Sequence, residues 1–484
     1  MAYHRARAPK VCSRGRTALL ALLASLSAAI ANYARADDAL SVTDAAPARP
    51  VIEFNRWKED WSVLANPDVP AESLDSLKYI PLSSTDPQTY LSLGANVRER
   101  FESNDAVSFG TTGNREENYV ISRLEADADM RIAEQIQIFT QLQSDFAPGK
   151  EVRTPVDQDR LSLEQAFIAV TESLGGGILK VRVGRQQFAF DLQRFVSVRD
   201  GPNVRQSYDA VWADYEIGRW RLISFYSHPV QNRDEHPFDD YSSGHLTYGG
   251  FRAERKLTSF MALAVSYSQF TQDKVTFATT TGNERREILD MHLSGALQGF
   301  DWDVEGMNQI GRLGDKVIRA WAYGSLGGYT FNQLRWTPRV GLQIDAASGN
   351  KNPNGGQINT FNPLFPNGYY VTLAGYTGYV NFVHVKPSVT VHPREGVRVM
   401  LAVGAQWRES TADAVYTQPD IPVASTAGHP GNYTGTYEQF RTDWTLSPHT
   451  SVALELVHFA IGDVLRAAGG HDSNYAGAEF RFAW

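Results

Sequence analysis

Arginine is the residue whose placement most suggests chemistry in this chain. Arg98, Arg100, Arg123 and Arg182 fall on the polar face of segments with a period of two, and Arg199 and Arg205 follow in an irregular stretch. Guanidinium forks pair with carboxylates through parallel bonds, and rings of them select anions by replacing lost hydration with charge. Arg339, Arg408 and Arg441 share the polar parity, as do Glu102, Glu125, Asp127, Asp129, Asp303, Glu305 and Asp345. This pattern supports two readings. One is a mutually neutralising ladder that stiffens a wide structure; the other is an anion-selective constriction in which some arginines stay under-compensated.

The stretch Val181–Ala210 concentrates the question. It begins as a strand, with Val181 and Val183 opposite Arg182 and Gly184. Arg185 breaks that parity, which places it at a rim, a bulge or a strand end. Residues 187–207 then carry Arg194, Arg199 and Arg205 past Gly201-Pro202 before strand pattern resumes at Tyr208. A loop this long in a compact fold is usually functional. Its arginines either narrow a passage or simply pair with Asp191, Asp200 and Asp209.

Other chemistry is poorly supported. Gly175-Gly176-Gly177 leads into a strand, so it is a turn and not a phosphate cradle. There is no HExxH motif, and the histidines are scattered. Asp239-Asp240 and His471-Asp472 lie in expected loops, where they read as solvated charges or, remotely, as a hydrolase at a barrel rim. Asp127 and Asp129 share a face, but neighbouring arginines oppose a cation there. No cofactor, metal or enzymatic activity is expected.

The elements that position these residues are strands. In Tyr90–Glu102, Leu91, Leu93, Ala95, Val97 and Phe101 oppose Ser92, Gly94, Asn96, Arg98, Arg100 and Glu102. The same dyad returns from Val120 to Ile132, and again from Ile136 after a tight turn. About eighteen such segments run to Trp484, a length and pattern typical of transmembrane barrel strands. Connections alternate long (103–117, 146–160, 187–207, 229–244, 271–286, 347–380, 410–432, 461–473) and short. The exception is 311–315, short where a long one is due. Trp302, Trp321, Trp407, Trp444 and Trp484 share the apolar parity near strand ends, as interface girdles do. The expected fold is all-β: a transmembrane antiparallel β-barrel of about eighteen strands, with long extracellular loops and short periplasmic turns.

The chain opens with Arg5, Arg7, Lys10, Arg14 and Arg16, the apolar run 17–31, and Ala34-Arg35-Ala36. Such a series marks a secretory signal peptide over residues 1–36, with cleavage after Ala36. Cleavage removes Cys12, the only cysteine, and takes the formal charge from −8 to −14, which argues against a nucleic-acid partner. Residues 37–88 read as an irregular, docked periplasmic extension, and 89–484 as the barrel. No later apolar run approaches a membrane helix, so a closed barrel is the one route by which this chain crosses a bilayer.

The segments RWKEDWSVL (56–64), LKYIPL, YLSLGANVRERFE, VDQDRLSLEQAFI (156–168), LKVRVGRQQFAF, RFVSVRDGPNVRQSYDAV, IRAWAYGSLGGYTF (318–331) and TFNPLFPNGYY (360–370) resemble the alginate export family of outer-membrane porins. GRQ…VSVRDGPNVR is the most specific of them. The resemblance implies an 18-stranded barrel in the outer membrane of a Gram-negative bacterium, with an electropositive pore that passes anionic polyuronate and a loop that shapes its constriction. Arg98, Arg100, Arg123, Arg182, Arg199 and Arg205 lie inside the matching motifs and are the expected pore lining. The expected function is passive, selective passage of an acidic polysaccharide or sugar acid. The rivals are a less selective nutrient porin for small carboxylates and the rim hydrolase. The implied partners are outer-membrane lipid and lipopolysaccharide, the anionic solute and periplasmic export proteins, with the barrel itself a monomer.

Overall fold

The structure is a computed structural model that describes residues 49–113, 116–278, 280–418 and 420–484. The expected signal peptide and cleavage site, and Cys12, lie outside the described residues. Eighteen antiparallel strands form the wall. They are β1 (Tyr90–Asn104), β2 (Glu117–Ile132), β3 (Ile136–Phe146), β4 (Asp159–Leu174), β5 (Gly177–Gln186) and β6 (Tyr208–Ile217). Next come β7 (Trp220–Pro229), β8 (Leu246–Lys256), β9 (Met261–Phe277), β10 (Thr280–Leu297), β11 (Phe300–Leu313) and β12 (Lys316–Thr330). The last six are β13 (Arg339–Ala347), β14 (Phe382–Arg394), β15 (Val397–Trp407), β16 (Tyr433–Ser447), β17 (Thr450–Ile461) and β18 (Ser473–Ala483).

Each strand pairs with its sequence neighbour, and β1 pairs with β18 from Asn96↔Ala483 to Asn104↔Tyr475. The seam ends on a reciprocal pair of backbone bonds between Ala95 and Trp484, 2.8 Å each. Closure leaves the wall without an edge strand, so its backbone groups pair between strands and not with water, bulges aside. The dyads decide which face meets lipid. Phe101, Leu124, Ile168, Val183, Val211, Leu289 and Leu401 stand exposed on the outside, while Arg100, Arg123 and Arg182 beside them are buried within. Short turns such as 175–176, 218–219 and 395–396 close one end, and 187–207, 348–381 and 408–432 are the longest connections at the other.

Two features depart from the expected pattern. The connection at 271–286 is not a long loop: β9 runs to Phe277 and β10 starts at Thr280, so the two strands continue as a hairpin. Gln272, Lys274, Thr281 and Glu284 interrupt the alternation there, while Val275 and Phe277 pack against Leu313, Ile318 and Ile358. The inward face is also not polar throughout. From β6 to β14 it carries Trp212, Phe225, Tyr248, Ile288, Met307, Ala320, Ala322 and Phe382, which pack as one cluster with Phe188, Phe195, Phe361 and Phe365 of the long loops. A lumenal wall covered by protein needs apolar side chains there, just as its lipid side does.

Residues 49–88 enter the short-turn end of the lumen. Trp57 and Glu59 offer their carbonyls to Arg131, and Trp57 also to Gln137 (2.8 Å). The Trp61 amide donates to the Tyr90 hydroxyl at 3.0 Å, and the Arg56 guanidinium to Asn96 at 2.8 Å. Lys78 is buried with its ammonium 5.3 Å from the Trp61 ring and 4.9 Å from Trp484. The terminal tryptophan, expected from its parity in the interface girdle, is instead engaged by this segment.

Burial, aided by Arg56 and opposed by Asp127, Glu59 and Asp129, pulls Lys78 down to about 8. A lysine with a lowered folded pKa is bound to fewer protons folded than unfolded between about 8 and 10.5, so stability rises with pH across that window. Lys78→Met is expected to abolish that rise and to stabilise the chain at pH 7. Unfolding midpoints of both chains measured from pH 7 to 10.5 check this.

A candidate site in the barrel lumen

Loop 187–207 is held inside the barrel by buried contacts at both ends. Near its start, Phe188 stacks on Tyr208 with ring centroids 4.0 Å apart, and Phe195 meets Phe361 and Tyr379 edge-on. The Arg194 guanidinium reaches β11, where it binds Asp303 at 2.6 Å and Glu305 at 2.8 Å, and its Nε donates to the Tyr370 hydroxyl at 2.6 Å. Gly324 makes room for it: a Cβ there would lie 2.6 Å from Arg194 Nε. Loop 348–381 joins it through backbone bonds, Ser197 N to Phe365 O at 2.8 Å and Phe365 N to Phe195 O at 2.9 Å. Three non-glycine residues of the loop, Asp191, Gln193 and Arg199, hold positive φ of 52°, 59° and 53°. That is a strained conformation kept only where surroundings enforce it.

The far end of the loop carries the charged centre. Asp200 Oδ1 accepts from Arg123 at 2.6 Å and Arg205 at 3.0 Å, and its Oδ2 from Arg481 at 2.9 Å. Arg98 donates to the Asp200 carbonyl at 3.0 Å, and Arg123 to the carbonyls of Asn203 (2.7 Å) and Pro202 (2.8 Å). The Asn203 amide in turn donates to the carbonyls of Ser122, Phe146 and Asp157, which fixes the loop against β2 and β3. Burial alone would raise Asp200, but Arg481, Arg205, Arg123 and Arg98 outweigh it and hold the carboxyl well below its usual range. Beside this centre lies a cavity of about 360 Å³, lined by Arg98, Arg123, Arg205 and Arg481 together with Glu125 and Phe54.

Of the six arginines expected to line the pore, Arg98, Arg100, Arg123 and Arg182 lie on the inward parity of the wall and Arg199 and Arg205 on the inserted loop, in three different settings. Arg98 pairs with Glu479 (2.8 Å), and Arg100 with Glu102 (2.7 Å), Glu455 (2.5 Å) and Glu479 (3.2 Å). Arg123 and Arg205 belong to the Asp200 centre, with Asp145 3.7 Å from Arg123 and Glu125 2.6 Å from Arg205. Among the described residues, no carboxylate reaches ion-pair distance of Arg182 or Arg199. Arg182 instead lies 4.3 Å from the Trp57 ring centroid. Arg199 lies 5.4 Å from that of Phe365 and donates to the Leu364 carbonyl at 3.2 Å. Burial lowers Arg199 from its ordinary value. The loop pairings divide in the same way: Arg205 meets Asp200, but Asp209 takes Arg185 (2.9 Å) and Asp191 takes Arg252 (2.5 Å). Arg185 sits at the strand end beside the loop, on the outward parity.

Arg481, Tyr369 and Tyr370 were not expected at the site. Arg481 lies in the last strand, where the alternation FRFAW marks it as lumenal, but nothing local ties it to residue 200. The aromatic run FNPLFPNGYY is the signal that loop 348–381 packs inward. The rim acids have structural partners: Asp239 accepts from the amides of Glu235 and His236, Asp240 from that of Arg233, and Asp472 binds Arg466 at 2.8 Å.

A closed 18-stranded antiparallel wall with loops folded into its bore is the architecture of an outer-membrane porin. The model of the alginate export family matches residues 89–479, so the chain belongs to that family. OccAB1 of Acinetobacter baumannii superposes with a TM-score of 0.55 at 11% identity, covering 85% of this chain and 99% of that one. OpdO of Pseudomonas aeruginosa gives a TM-score of 0.54 at 10% identity, covering 81% and 97%. A BenF-like porin from Pseudomonas fluorescens Pf-5 gives 0.54 at 10% identity, covering 81% and 99%. No curated protein sequence matches the chain.

Proposed function

We propose that this porin passes an anionic, carboxylate-bearing solute, an acidic polysaccharide or sugar acid, along the arginines that surround Asp200. The observation that carries the reading is the convergence of Arg98, Arg123, Arg205 and Arg481 on one residue of the inserted loop. A site that holds one carboxylate with charged forks from three directions is chemically suited to exchange it for another. Bidentate guanidinium recognition favours carboxylates over halides of equal charge. Arg100 and Arg182 extend the series along the wall, and Arg199 contributes a guanidinium that no carboxylate among the described residues reaches at ion-pair distance. Family membership supports the same chemistry.

A second reading, small carboxylates only, is favoured by how much of the bore the loops fill: the cavity at the arginines is about 360 Å³. Planar-bilayer recordings separate the two. If polymer is the solute, micromolar polyuronate is expected to block the open-channel current in a side-dependent manner. Passage of monomeric uronate with no block by polymer would select the small-acid reading.

A further inference from the structure

The residues that precede the barrel occupy its lumen from the short-turn side, held by contacts to the wall and by contacts among themselves. The Trp57 ring lies between Phe167 (5.9 Å, edge-on) and the guanidinium of Arg182 (4.3 Å). Its carbonyl and that of Glu59 take up the Arg131 and Gln137 donors. Glu59 binds the buried Arg56 at 2.8 Å and accepts from the Trp61 indole at 2.9 Å. Five residues before Glu59, the Phe54 ring meets the guanidinium of Arg205 at 4.3 Å. Arg205 belongs to the loop that descends from the opposite end. The two inserted segments therefore touch at the wall of the arginine-lined cavity, near the short turn 448–449, where Ile52, Glu53 and Phe54 supply one side.

We infer that residues 52–61 are a resident part of the selective passage: they form its short-turn wall and set its bore, with Phe54 and Trp57 as the specificity-determining residues. Phe54 and Trp57 cover the faces of two guanidiniums, Arg205 and Arg182, that an anion would otherwise meet. A cation–π face contact leaves the in-plane N–H donors of a guanidinium free, so these rings restrict the approach of a solute to the edge. The family match begins at residue 89, so this wall is supplied by a segment outside the matched region.

The inference rests on the barrel acting as a channel, and the test keeps the two apart. The full-length protein is compared in planar bilayers with a chain lacking residues 49–61 and with the double variant Phe54→Ala, Trp57→Ala, which keeps the segment in place. Each is first shown to be folded by heat-modifiable gel mobility. The expected result is a severalfold rise in single-channel conductance for the deletion, a smaller rise for the double variant, and weaker discrimination among carboxylates of different size in both. Unchanged conductance and size discrimination in either folded variant overturns the inference. Should one variant not fold, the other decides. Absence of discrete channels in the full-length protein and both variants counts against the inference and against the channel reading itself, whereas channels of equal conductance in all three count against the inference alone.

Discussion

Arg194→Ala is expected to loosen the inserted loop from the wall while the barrel stays closed. Arg194 is fully buried and holds Asp303 and Glu305 of β11, and Glu305 is itself buried. Breaking a buried ion pair by removing one partner costs about 3–5 kcal/mol, because the remaining charge is left in a poor solvent. The loss falls on the loop because the wall keeps all of its interstrand bonds, and the Ser197–Phe365 backbone contacts with loop 348–381 are the next to go. Recordings are expected to show larger and noisier conductance, and loop residues 187–207 to become cleavable by protease in intact outer membranes. Arg194→Lys restores the charge but not the fork that spans Asp303 and Tyr370, so it is expected to recover only part of the loss.

How much of this was legible in the sequence varies by element. The wall is, because each lipid-crossing strand must alternate, and the register of β1 on β2 follows from matching Leu93, Val97 and Phe101 to Ala128, Leu124 and Val120. The hairpin that pairs Phe277 with Thr280 is not, because a bulge between Gln272 and Val275 breaks the alternation and its apolar residues pack on the distant Leu313, Ile318 and Ile358. The aromatic half of the lumen carries a signal: in YDAVWADYEI both parities hold apolar residues, the mark of a strand buried on both faces. The aromatic loops FAF and FNPLFPNGYY are the other half of that signal.

The charged site was legible as a parity but not as a set of partners. Arg123 and Arg205 lie in separate segments, and Arg481 comes from the last strand. Only closure of β18 on β1 brings it to Asp200. Which arginines are neutralised depends on such distant pairings. Local spacing suggested Asp209 and Asp191 as partners for the loop arginines, but the neighbouring strands assign those acids to Arg185 and Arg252.

The most direct test of the proposed passage is the reversal potential across a tenfold KCl gradient for the wild-type channel, Asp200→Asn and Arg205→Glu. Four guanidiniums hold Asp200 well below the usual carboxylate range, so Asp200→Asn removes a negative charge from the lumen at nearly constant size, with the loss of one of the two acceptor oxygens. A single uncompensated charge at a narrow, low-dielectric constriction dominates permeation. The expected result is an anion-selective wild type, a reversal potential moved further toward the chloride limit in Asp200→Asn, and a reversal toward cation preference in Arg205→Glu. Reversal potentials that coincide for all three channels would contradict it.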